Sequence, residues 1–387
     1  MADATGLDVF HTIQPVMFIE YLFAVGRLFK RKGEIKTANI YFKVFGIIYV
    51  IVQIILMYIL VEIHSNDVGL DMIYDMHFTP TVTIVIGYVM FVINNNFISG
   101  NRNMQMYLRF KKIDKDLNIH FNRDFYRTSR RQHFLILIIL FISHSIYHII
   151  EVTLDSANFA IIWGVYFFQD IEKAFFCILI FMIKKRLDII NLHIAKCINV
   201  HRLRKADSSL NGIKFNRFDP ILSKKLKISE LATVYNSIGE LCSLINDDFN
   251  LNIFFGFMGA FSYVITSIWS VLYYSRPGIH VYKTITLINQ LIWIILELYP
   301  IVVVCLVSNW LPWTQKKIKV LLNEIIIDYT TPDTIRNEAK SFNELVDVWP
   351  LHIFMYKMFR IDVGLLLNFV NLCTTYLIFM LQITHFI

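Results

Sequence analysis

Seven stretches of this chain, at residues 44–62, 79–99, 134–152, 159–183, 251–274, 281–307 and 363–386, are long apolar runs. At about 1.5 Å of rise per residue, helices of this length reach across a hydrocarbon layer of about 30 Å. A helix also satisfies its own backbone where no water is present. The fourth stretch is the weakest, interrupted by Gln169, Asp170, Glu172 and Lys173. Composition points the same way: 56% of the 387 residues are hydrophobic and 33 are phenylalanine, outside the soluble globular range. The sequence predicts an all-α polytopic membrane protein with seven transmembrane helices.

The 37 Lys and Arg residues are shared unevenly among the intervening segments. Six lie up to Lys43, nine between the second and third stretches, twelve between the fourth and fifth, and seven between the sixth and seventh. The alternate loops hold only Arg276 and Lys283, and Lys173 sits inside the fourth stretch. By the positive-inside rule the N-terminus is cytoplasmic and the C-terminus extracellular. That orientation is opposite to a G-protein-coupled receptor. It also assigns the net charge of +7 to cytoplasmic loops rather than to nucleic-acid binding. The outer loops are short and partly acidic, with Glu62, Asp67, Asp71, Asp75 and Asp155, so a small-molecule site must lie among the helices. The five cysteines fall in spans or basic loops, which argues against a disulfide framework. The apolar piece from Val16 to Val25 lacks a preceding basic region, so the first span is expected to do the targeting.

The expected organisation is a cytoplasmic N-terminal segment at 1–43, spans one to four at 44–183, cytoplasmic helices at 184–250, spans five and six at 251–307, further cytoplasmic helices at 308–361, and a last span at 362–387. Leu187, Ile190, Ile194 and Cys197 repeat at helical spacing, as do Leu231, Tyr235, Ile238, Leu241, Cys242 and Ile245. Neither stripe can bury its face alone. With Ile318, Leu321, Leu322 and Ile325 they predict a helical cytoplasmic module that shares one core.

The last span, Asp362–Ile387, carries one charge in 26 residues. Asn368, Asn371, Thr375, Phe379, Gln382 and Phe386 step by three or four and share one narrow sector of the helix. Amides are costly in hydrocarbon, so this stripe must meet other helices or a water path. A packing seam and a pore lining built from identical copies around an axis are both compatible with it.

The run Thr375, Tyr376, Leu377, Ile378, Phe379, Met380, Leu381, Gln382 resembles the C-terminal signature of insect gustatory receptors, with Ile383 where that family usually has Phe. Phe359, Ile361 and Asp362, followed by Leu365, Leu366 and Leu367, resemble the lead-in to the same helix. Leu231, Tyr235, Leu241, Ile245, Asn246 and Phe249 resemble the family's pattern in its cytoplasmic anchor. The resemblance implies a homotetrameric, ligand-gated, non-selective cation channel in the plasma membrane of a sensory neuron dendrite. Its cytoplasmic helices would join the subunits, and a hetero-oligomer with related receptors is a further expectation. Na, K and Ca are the implied permeant ions. Asn368, Asn371, Thr375, Phe379 and Gln382 are the implied pore residues, with Phe379 as a hydrophobic gate.

Candidate ligand-binding residues come from other spans. His144, Tyr147 and His148 belong to span three, and Trp163, Tyr166, Gln169 and Asp170 to span four. Trp269 and Tyr273 belong to span five, and Thr286, Gln290 and Trp293 to span six. Aromatic walls with a few hydrogen-bonding groups are the usual make-up of a small-molecule site. Asp170 with Lys173 also reads as a structural pair, and interfacial anchoring competes for Trp269 and Tyr273. Aromatic-rich lining favours a bitter or deterrent plant compound over a sugar. No catalytic motif, cofactor or metal site is expected. A secondary transporter and a G-protein-type receptor are the rival functions, and a non-conducting scaffold is a third.

Overall fold

The computed structural model describes residues 8–31, 34–67, 72–154, 163–206, 226–274 and 283–383. Helix α1 (Val9–Leu22) leads into a hairpin of β1 (Phe29–Arg31) and β2 (Glu34–Lys36), then α2 (Ile40–Asp67) and α3 (Met72–Ile93). Helices α4 (Gly100–Asp116), α5 (Arg123–Leu154), α6 (Trp163–Ala206), α7 (Ile228–Tyr274) and α8 (Lys283–Ser308) follow. After α9 (Trp310–Ile327) and α10 (Asp333–Val348), a hairpin of β3 (Phe354–Met355) and β4 (Phe359–Arg360) turns into α11 (Val363–Ile383).

The described parts of the seven apolar stretches fall in order on α2, α3 with the π-helical turn Asn94–Ile98 that follows it, α5, α6, α7, α8 and α11. By length and composition, stretches within α2, α3, α5, α7 and α8 suffice to cross a membrane, and α11 is a shorter apolar helix. Helix α6 falls short of that criterion, as Asp170, Glu172 and Lys173 foretell. Helices α6 and α7 are 44 and 47 residues long, about 66 and 70 Å at 1.5 Å per residue. Each therefore extends well beyond a hydrocarbon layer of about 30 Å. No proline interrupts residues 221–276, and the stripe beginning at Leu226 runs without a break into the fifth apolar stretch.

Outside the apolar stretches, α7 presents Leu231, Tyr235, Ile238, Leu241, Ile245 and Phe249 to the core, all buried at three- and four-residue intervals. They belong to one cluster with Leu187, Ile190 and Ile194 of α6, Ile318 and Leu322 of α9, and Phe342 and Val346 of α10. Burying such a side chain contributes about 1.5–3 kcal/mol, which the short amphipathic helices lack in isolation. The Tyr235 ring meets Phe342 edge-on at 5.6 Å, and its hydroxyl donates to the Trp349 carbonyl at 2.9 Å. Gln315 closes the reversal after α10: its amide donates to the Val346 carbonyl at 2.7 Å and accepts from the Leu351 N–H at 3.0 Å. The indole of Trp349 lies on Gly239, where an added Cβ would come within 3.1 Å of the ring.

Helix α6 is tied to α4 by a buried pair. Arg186 donates from Nε and Nη2 to the two carboxylate oxygens of Asp114, both at 2.7 Å, and the Tyr126 hydroxyl adds a third bond at 2.8 Å. A guanidinium left there without its partner is uncompensated charge, costing about 3–5 kcal/mol. Asp114→Ala is therefore expected to lower the melting temperature of the detergent-extracted protein by several degrees. An unchanged melt would show that the pair contributes nothing net.

A second buried centre joins the N-terminal segment to the long helices. Arg27, 2% exposed, donates to Glu20 at 2.8 Å, to Glu172 of α6 at 2.7 Å and to Asp248 of α7 at 2.8 Å. Its guanidinium lies over the rings of Phe91, Phe175 and Phe249, which exclude water from it. The chain reaches this position through a sharp turn at Ala24, whose φ is 60°. Asn96, in a π-helical turn at the end of α3, holds that turn. Its side chain donates to the Ala24 carbonyl at 2.8 Å and accepts from the Gly26 N–H at 2.9 Å.

Candidate functional site

Helix α11 begins at a cap made by Asp362, whose carboxylate accepts from the Leu365 N–H at 3.1 Å. The β3–β4 hairpin before it is held by α7. Asn246 donates to the His352 carbonyl and accepts from the Phe354 N–H, both at 3.3 Å, and Asn250 accepts from the Tyr356 N–H at 2.8 Å. Leu351, Ile353 and Ile361 are buried beneath. Hydrogen bonds from two asparagines one turn apart thus fix where the last helix starts.

Along its length α11 packs through Phe369 and Cys373, both buried. The rings of Phe257 and Phe261 on α7 meet Phe369 at 5.9 and 6.3 Å, and Phe261 meets Tyr376 at 5.3 Å. Asn368, Asn371, Thr375, Phe379 and Gln382 are all exposed, with Phe379 at 55%. On an ideal helix their mean direction is about 160° from that of Phe369, Cys373 and Leu377. The amide stripe therefore points out of the subunit. Thr375 satisfies itself on the Asn371 carbonyl at 2.9 Å. Among the described residues the side chains of Asn368, Asn371 and Gln382 have no partner, and three such amides cannot rest in hydrocarbon.

A second group of polar and aromatic residues lies inside the helix bundle. His144 of α5 and Lys173 of α6 both hydrogen-bond the Asp170 carboxylate, each at 2.8 Å, to different oxygens. Toward the start of α6, Tyr166 shares a hydrogen bond of 3.0 Å with Thr81 of α3. Trp293 of α8 is the centre of the rings, 4.2 Å from Tyr147, 4.8 Å from Tyr263 and 5.8 Å from Tyr166. The structure thus brings together His144, Tyr147, Tyr166, Asp170 and Trp293 from three helices.

The other sequence candidates are placed differently. Gln169 points toward α3, donating to the Ile84 carbonyl at 3.2 Å, in a space that Gly87 leaves open. Trp269 is buried nearly two turns beyond Tyr263 on α7, while His148 and Gln290 are half-buried one turn from His144 and Trp293. The side chains of Trp163, Tyr273 and Thr286 lie outside the described residues. Sequence reasoning does not reach Thr81 and Tyr263. The one available signal was that a tyrosine hydroxyl within an apolar run needs a partner. Among the described residues the rings of Tyr147, Tyr166, Tyr263 and Trp293 stand at contact distance from one another. A groove of about 860 Å³ lies elsewhere, between α1 and α5.

The helical fold has solved counterparts. A family model described as 7tm chemosensory receptor matches residues 22–384. The chain belongs to that family. As a chemosensory receptor it is similar in fold to the insect olfactory receptor OR5 from Machilis hrabei, with a TM-score of 0.56 at 11% identity, covering 96% of this chain and 97% of that one. The structure of that receptor in complex with eugenol gives 0.61 at 10% identity, with the same coverage. No curated protein matches the sequence. The resemblance carried by the C-terminal motif holds at the level of the chemosensory receptor family, and the seven-helix fold with it.

Proposed function

We propose that this receptor is a homotetrameric cation channel of the plasma membrane, opened by a small organic tastant. The N-terminus would be cytoplasmic and the C-terminus extracellular. The observation that carries the reading is the direction of the α11 stripe. Its amides point away from α7, against which α11 packs, and a water-filled axis among four copies would satisfy them where lipid cannot. Phe379 narrows that path by dewetting, and Gln382 presents a polar surface when the path opens.

The ligand would bind among Tyr147, Tyr166, Tyr263 and Trp293, with His144 and Asp170 as hydrogen-bonding groups beside the rings. Helix α7 carries Tyr263 toward that cluster and Phe261 toward α11, so a ligand that separates the rings moves the helix against which the pore segment rests. Opening follows only if the ligand binds the open arrangement better. Aromatic lining favours a bitter or deterrent compound over a sugar. The likeness to a receptor solved in complex with eugenol supports a small organic ligand of that kind.

Calcium imaging of cells expressing this chain alone, against sugars and plant secondary metabolites, tests the reading. A ligand-evoked calcium rise is expected, with unitary steps in patch recordings of the same cells; flux at fixed stoichiometry without such steps would make it a transporter. Trp293→Ala removes the largest ring that the ligand would stack against, a contact of about 0.5–1.5 kcal/mol beyond its buried area, and should raise the half-effective concentration about tenfold, with the maximal current preserved. A shift below about twofold would remove Trp293 from the site. Gln382→Glu places a ring of charge in the path and should raise calcium permeability relative to sodium. Ratios indifferent to that change would mean that Gln382 does not face the ions.

A further inference from the structure

The groove between α1 and α5 has an amphipathic lining that the channel reading leaves unused. One end is formed by Arg127, Arg130 and Arg131, and the other by Phe18, Phe134 and Phe141. From Arg127 to Phe141 is 14 residues of α5, about 21 Å at 1.5 Å per residue. The apolar end is closed by Phe167, whose ring meets Phe141 at 5.8 Å and Phe23 at 6.0 Å. Helix α1 is seated firmly enough to form a wall: Val9, Ile13, Val16 and Met17 are buried, and His133 of α5 hydrogen-bonds the Thr12 carbonyl at 2.7 Å.

We infer that this groove holds an anionic phospholipid, its headgroup on the three arginines and an acyl chain along the phenylalanines. Three features carry the assignment. All three arginines are exposed, and among the described residues none has an ion-pair partner. No carboxylate lines the groove. The charge ends where the apolar run of α5 begins, so the guanidiniums stand at headgroup depth and the phenylalanines at chain depth. Guanidinium forks bind phosphate through paired hydrogen bonds, and three of them with no facing carboxylate hold a headgroup of net negative charge more strongly than a net-neutral one. At about 860 Å³ the groove is at the upper end of the range of small-molecule sites and far exceeds a bound ion.

Native mass spectrometry of the full-length protein, titrated with phosphatidylserine or phosphatidylcholine, tests this. The wild type should retain phosphatidylserine and release phosphatidylcholine. Replacing the three arginines together with glutamine should weaken phosphatidylserine binding on the order of 100-fold, about fivefold per charge, whereas the three Arg→Lys changes should weaken it far less. Ile138→Trp, which fills the apolar half with the arginines in place, should weaken it about tenfold or more. Retention that survives the glutamine variant would overturn the assignment. So would indifference to Ile138→Trp, which would reduce the effect to surface charge, and so would displacement by glycerophosphoserine as readily as by the whole lipid.

Discussion

Replacing Arg27 with methionine is expected to remove most of the receptor from the cell surface. The side chain is the shared cation of Glu20, Glu172 and Asp248, all buried, and its loss leaves three carboxyl groups in a site walled by Phe91, Phe175 and Phe249. Breaking one buried pair costs about 3–5 kcal/mol, and this centre has three, against a total stability of about 5–15 kcal/mol for an ordinary domain. Arg102, at 3.7 Å from Asp248, is too far from the other two acids to substitute. Surface biotinylation and size-exclusion profiles of the extracted protein would report the loss. Adding Glu20→Gln and Glu172→Gln to Arg27→Met should recover part of it, because neutral amides in a dry site cost less than unpaired carboxylates. Wild-type surface levels in the single variant would show that the centre is dispensable for folding.

Phe379→Ala is expected to produce current without ligand. In the proposed tetramer four phenyl rings around an axis would hold a dry constriction, and truncation to methyl groups would both widen it and remove the surface from which water withdraws. A rise in basal current of about tenfold corresponds to about 1.4 kcal/mol in the closed–open equilibrium, a modest demand for four simultaneous truncations. Because Phe379 is exposed in the subunit, the change leaves no cavity in its core, and surface expression should be unaffected. A channel that stays closed without ligand and opens normally with it would place the gate elsewhere.

Much of this architecture was legible in the sequence because it rests on local periodicity. The amide stripe of α11 was readable from steps of three and four, and so was the buried stripe from Leu231 to Ile245, since both depend only on which residues share a helix face. The Arg27 centre was not. Its partners lie 145 and 221 residues away in Glu172 and Asp248, and Glu172 alone registered as an interruption in an apolar run. The same limit explains Thr81 and Tyr263, ordinary residues of their own helices until Tyr166 and Trp293 are packed against them. Asp170 shows the intermediate case: the bond to Lys173 follows from their spacing, but the one to His144 required α5 to lie beside α6.

The order of hydrophobic and charged residues was sufficient to place the seven apolar stretches and the amide-bearing side of the last one, because lipid admits few backbone solutions and the helical period is fixed; it did not show that the fourth and fifth stretches belong to helices running on to Ala206 and back to Ile228. Tertiary packing alone decided that this side turns outward, that a tryptophan gathers three tyrosines, and that one arginine serves three acids. Those outcomes depend on which helices become neighbours, and neighbourhood between segments hundreds of residues apart leaves no trace in any local pattern.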